Sequence, residues 1–170
     1  DDSVELPDDS VSDTEILDEP GGATASSTSS LALDGSVQTI VSETIYIPAE
    51  GLVLAIGTVQ TQVADDGSTG TAYFAVSDAE GSMPSGGGSA VRIPNTGSSG
   101  VWLNTVTVHG LFPVASSGSA TFYLLAEETF GAWAVFDRRL TLVYLPSSYE
   151  IRDVMAEPPT RPASERTPGQ

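Results

Sequence analysis

The sequence predicts an all-β domain, a two-sheet antiparallel β-sandwich or jelly roll of about eight strands with extended N- and C-terminal tails. Three observations predict it. Apolar residues recur with a period of two along a series of short runs. Turn-forming stretches, Pro48-Ala49-Glu50-Gly51, Asp65-Asp66-Gly67-Ser68, Ser116-Ser117-Gly118 and Phe130-Gly131, separate those runs. No internal repeat is visible, and no amphipathic helical pattern outlasts a turn or two.

Taken in order, residues 1–20 carry nine acids and no base, with only Val4, Leu6, Val11, Ile16 and Leu17 as apolar interruptions. Too little apolar surface is available there to offset chain entropy, so an acidic arm is expected. Its five apolar residues are candidates for strand addition to a neighbouring sheet. Residues 21–30 (GGATASSTSS) read as a flexible linker, which closes the arm at residue 30.

The predicted β-domain spans 31–149. Val37, Val41, Ile45 and Ile47 share one face of a first strand, with Gln38, Ser42 and Thr44 on the other. Residues 52–63 are apolar on both faces at their start and alternate towards their end. Residues 71–76 then alternate, with Ala72, Phe74 and Val76 on one side and Tyr73 on the other. Residues 78–100 form a Gly/Ser-rich loop in which only 90–93 is strand-like, held short by Pro94. The densest stretch follows. Residues 101–146 hold both tryptophans, four of the five phenylalanines and the only histidine, and read as four strands: 101–112, 119–128, 132–136 and 138–145. The Pro-rich segment 150–170 is an expected tail.

A length of 170 residues suits one core. The formal net charge is −17, and all six basic residues are arginine. Such a chain has no basic patch with which to release counterions, so nucleic-acid binding is not expected. It has no apolar run long enough for membrane insertion. Zero cysteines exclude disulfides and thiolate chemistry. A first residue of Asp1 reads as a mature, exported protein, extracellular or at the cell surface.

Catalytic patterns are weak. His109 is the sole histidine, with no nucleophile-elbow pattern near it. Glu127 and Glu128 are adjacent on a strand and point to opposite faces, so they do not form a carboxylate pair. Calcium is a weak candidate at Asp65 and Asp66, where a hairpin turn explains the acids without a metal; no other cofactor is expected. Trp102 and Trp133 could make a sugar platform, and packing in a core or interface is preferred.

The stronger signal is assembly. Several strands are apolar on both faces, yet only one face of each sheet looks into a sandwich core. The second face needs a cover, naturally another subunit. Trp102, Tyr123, Leu125 and Val143 are the interface candidates on that ground. Arg138 and Arg139 are candidates to meet the acidic arm of a neighbour.

The runs Gly51-Leu52-Val53-Leu54-Ala55-Ile56, Phe112-Pro113-Val114 and Thr121-Phe122-Tyr123-Leu124-Leu125-Ala126 resemble the small jelly rolls related to the TNF and C1q heads. Leu140-Thr141-Leu142-Val143-Tyr144-Leu145-Pro146 is similar to the closing strand of bacterial proteins of that kind. The resemblance covers residues 37–149 and implies a compact trimer that binds or assembles without catalysis. The chain carries no collagen-like stalk. The expectation is therefore a non-enzymatic, self-assembling structural subunit, with a filament joined through the tails as its specific form. The alternative is a trimeric head that recognises a glycan or protein ligand through the 78–100 loop.

Overall fold

The computed structural model describes residues 21–65, 69–85, 89–93 and 100–146. These form nine strands: β1 (Gly22–Ser27), β2 (Leu31–Ala32), β3 (Gln38–Ile47), β4 (Gly51–Asp65), β5 (Gly70–Ser77), β6 (Ser89–Ile93), β7 (Gly100–Val114), β8 (Gly118–Phe130) and β9 (Ala132–Pro146). One sheet, sheet A, runs β1-β9-β4-β7, with β2 also paired to β9. The other, sheet B, runs β3-β8-β5-β6. Every pairing is antiparallel, and consecutive strands repeatedly cross from one sheet to the other. This is jelly-roll topology. Because β1 and β2 share one edge of sheet A, the nine strands fill eight positions.

Two expectations are corrected. The stretch 21–30 is not a linker: it contains β1, paired with β9 from Gly22↔Val143 to Ser27↔Arg138. Tyr144 N–H donates to Gly21 O at 2.8 Å, extending the ladder by one residue. An edge strand needs its backbone groups satisfied more than its side chains packed, so small residues suffice there. The second correction concerns residues 132–145, which form one strand. Asp137, at φ 46°, is a bulge: Thr58↔Arg139 and Gln60↔Phe136 leave two β9 residues opposite Val59 alone. The bulge shifts the side-chain phase by one. Trp133 and Val135 are buried before it, and Arg138, Leu140, Leu142 and Tyr144 after it.

The core lies between the sheets. Val53, Ala55, Val59 and Val63 from β4 face inward with Leu140, Leu142 and Tyr144 from β9, against Ile45, Ile47, Phe74, Phe122 and Leu124 of sheet B. Phe112 and Phe122 meet across the sandwich with ring centroids 5.1 Å apart and tilted by 52°. Each such large side chain stabilises the fold by about 1.5–3 kcal/mol through area removed from water. Gly57 occupies the inner row of β4, and a Cβ there would stand 2.5 Å from Leu124 Cδ1 of sheet B. The buried Tyr144 hydroxyl donates towards Ala49 O (3.2 Å) and Glu50 O (3.1 Å), pinning the turn between β3 and β4.

Candidate assembly surface

The side chains that sheet A turns away from the core form the candidate site. Along β4, the inward residues Val53, Ala55, Gly57 and Val59 alternate with Leu52, Leu54, Ile56 and Thr58, which are half-buried. Register carries the outward set across three strands. Leu111, Leu54 and Val143 lie in one row, and Pro113, Leu52 and Leu145 in the next. His109, Ile56 and Thr141 form the third. The result is a contiguous apolar field bordered by Thr107, Thr58 and Arg139.

The charge on this face is unlike that of the chain. Among the described residues, none of the side chains in these four rows is acidic, whereas the whole chain carries 23 acids. The nearest acid along β9 is the bulge residue Asp137, which is exposed. Arg139, also exposed, lies opposite Ser26 on β1 and Thr58 on β4. An apolar, acid-free field is where two strongly negative copies can approach at the least electrostatic cost.

The sequence-derived candidates fall in different places. Val143 is in the apolar field. Trp102 is 43% exposed and shares a row with Val63 and the buried Trp133, at the end of sheet A away from the field. Tyr123 is half-buried on the outer side of sheet B, opposite Ser42 and Ser77. Leu125 is a correction: it is fully buried, with its cross-strand partner Ala75, apart from the cluster that fills the space between the sheets.

Arg138 is a second correction. The bulge at Asp137 turns it inward, and it is 5% exposed. Its guanidinium donates to Ser27 Oγ (2.8 Å), Ser29 Oγ (2.8 Å) and Ser29 O (3.0 Å). Arg138 therefore anchors the 28–30 crossover between β1 and β2, and it is not presented to a neighbour's arm. Its Nε finds no acceptor among the described residues.

Trp133 is core: its indole N–H donates to Phe130 O at 2.8 Å, and its backbone N–H donates to Glu128 Oε2 at 3.0 Å. This gives Glu128 a structural partner within β8 and β9. His109 is exposed on the outer side of β7. Val4, Leu6, Val11, Ile16, Leu17, Asp66 and the Asp65 side chain lie outside the described residues. Among the described residues, no three His, Cys, Asp or Glu side chains gather as a metal site would require, and no helix is long and apolar enough to cross a membrane.

No protein-family profile matches the chain. No curated protein matches it either. A solved structure of infectious bursal disease virus Gx strain aligns over 76% of this chain and 37% of its own, at 15% identity and a TM-score of 0.38. One of the Gt strain aligns over 76% and 41%, at 13% identity and a TM-score of 0.17. The chain thus spans well under half the length of either. Similarity at that level carries no functional argument, and the chain's own geometry must.

The sequence signals for the apolar field are the two-sided apolar start of β4 and the two apolar faces of β9, with Val143 among the interface candidates. Only register reveals that Leu54 has Leu111 on one side and Val143 on the other.

Proposed function

We propose that this chain is a non-enzymatic structural subunit that self-assembles through the outer face of sheet A. The observation that carries the reading is the field of Leu52, Leu54, Ile56, Leu111, Val143 and Leu145, free of acids in a chain of net charge −17. In its specific form the assembly is an extracellular filament, in which the acidic arm and the Pro-rich tail contact neighbouring subunits. The TNF/C1q-like resemblance supports the same class, with a closed trimer as the competing geometry.

Salt supplies the test. The Debye length is about 10 Å at 0.1 M and about 3 Å at 1 M, so repulsion between copies fades as salt rises while apolar burial does not. Light scattering with negative-stain microscopy should show larger species as salt is raised. Leu54→Glu, placed in the middle of the field, should abolish them with the fold intact. A chain that stays monomeric at every concentration and salt level would end this reading.

A second reading draws on a different observation. Thr71, Tyr73, Arg92, Thr129 and Phe130 line an open groove on sheet B, to which the 78–100 stretch contributes Arg92 on β6. Tyr73 and Phe130 are exposed aromatics, and Arg92 is a cation beside them. Such a groove suits a glycan or an acidic peptide. Native mass spectrometry with neutral and sialylated oligosaccharides tests it, and Arg92→Ala should remove any binding found.

A further inference from the structure

The four sheet edges are protected very differently. An exposed edge strand offers unpaired N–H and C=O groups to any other strand, and proteins ordinarily blunt it with charge, bulges, proline or brevity. On sheet B, β3 carries Glu43 on its inward row and a register shift between Thr39 and Val41. β6 has five residues and carries Arg92. On sheet A, β1 is six residues long and is interrupted before β2.

β7 has almost none of these devices. It runs for fifteen residues and stays in continuous register with β4 from Gly51↔Val114 to Asp65↔Gly100. It contains no acid, lysine or arginine, and its single proline, Pro113, is next to its last residue. No described strand pairs with its outer side. Residues 101–105 are exposed on both faces, with Val101 at 64%, Leu103 at 66% and Trp102 at 43%.

From this contrast we infer that the outer edge of β7 pairs antiparallel with β7 of a second copy, joining two copies of sheet A into one continuous sheet about a two-fold axis. This rests on the self-assembly reading and deepens it by naming the edge. The occupant is a second copy because of charge. Two chains of −17 repel over most of their surface, and β7 is the long strand on which neither brings a fixed charge to the contact. The pairing satisfies the open backbone groups. It also shelters Val101 and Leu103 on one face and Trp102 on the other.

The chain has no cysteine, so single substitutions give a clean test. A disulfide requires Cα atoms within about 7 Å, which in an antiparallel two-fold pair is met only at residues near the axis. Leu103→Cys, Thr105→Cys and Thr107→Cys are made singly in the full chain, with Ser26→Cys on β1 as the control, and oxidised under assembling salt. The expected result is covalent dimer from the β7 positions, peaking at one of them, and little from Ser26→Cys. In parallel, Thr105→Glu, on an exposed side chain, should weaken association at least tenfold at low salt and recover at high salt, with an unchanged unfolding midpoint. If assembly persists while none of the β7 positions crosslinks and Thr105→Glu has no effect, the β7 pairing is overturned and the self-assembly reading stands. If no variant and no wild-type sample associates under any salt condition, both are overturned.

Discussion

Arg138 holds Ser29 at two atoms, donating to its hydroxyl at 2.8 Å and its carbonyl at 3.0 Å. Ser27 Oγ is a third acceptor at 2.8 Å, and the two serine hydroxyls lie 3.0 Å apart. Removing either hydroxyl leaves a buried donor poorly satisfied. Ser29→Ala should cost about 1–3 kcal/mol in urea unfolding. Arg138→Lys should not preserve the wild-type midpoint, since all three bonds leave the terminal Nη2, which stands one bond further from the backbone than a lysine ammonium.

Gly57 leaves the room that the Leu124 side chain fills. An added methyl meets Leu124 Cδ1 at 2.5 Å and Val108 Cγ2 at 3.1 Å. Gly57→Ala should therefore destabilise by about 1–3 kcal/mol. Leu124→Ala alone opens a cavity at a fully buried site and should cost about 2–5 kcal/mol. The double variant should be more stable than the sum of the two losses predicts, because each relieves the defect of the other. Chemical denaturation of all four proteins measures that coupling.

Asp34 gives a pH signature. The Ser36 hydroxyl donates to Asp34 Oδ1 at 2.6 Å and the Ser36 N–H at 3.1 Å, and with help from Gln38 they hold the carboxyl below its ordinary value. A depressed folded-state value means the stabilisation is fully present above the ordinary carboxylate range. It is lost as pH falls through the depressed value. The gap in unfolding midpoint between wild type and Ser36→Ala should be widest at neutral pH and shrink in acid; a gap that widens in acid contradicts the assignment.

Tyr144→Phe isolates the hydroxyl that reaches Ala49 O and Glu50 O. The ring stays buried, so the expected loss is about 0.5–1.5 kcal/mol. Hydrogen exchange should quicken at the turn between β3 and β4 and change little in β5 or β8.

Fold class was legible because alternation and turn chemistry are local. The inward rows of β3 and β5, Ile45 and Ile47 with Ala72, Phe74 and Val76, are buried as their period predicts. What failed depended on partners distant in sequence. β1 has the composition of a linker and becomes a strand only because β9, more than a hundred residues later, offers its edge. Arg138 and Arg139 look equivalent as neighbours on a strand, and only the positive φ of Asp137 decides which of them is buried. Leu125 carries no sequence mark separating it from Tyr123, yet it is fully buried while Tyr123 is not. The outer field is similar: β4 and β9 each show apolar residues on both faces in the sequence, and only pairing with one another and with β7 turns them into a surface.

The row Trp102, Val63, Trp133 puts the chain's two indoles on either side of one valine, one of them 43% exposed and the other 2%. The protein therefore contains a paired optical gauge that needs no dye. A collisional quencher such as acrylamide should dim the red-shifted emission of Trp102 and spare the blue emission of Trp133, which serves as an internal standard. Any event that shelters the end of β7 should make the two emissions converge, so the state of that edge can be followed in real time by the colour of the protein's own fluorescence.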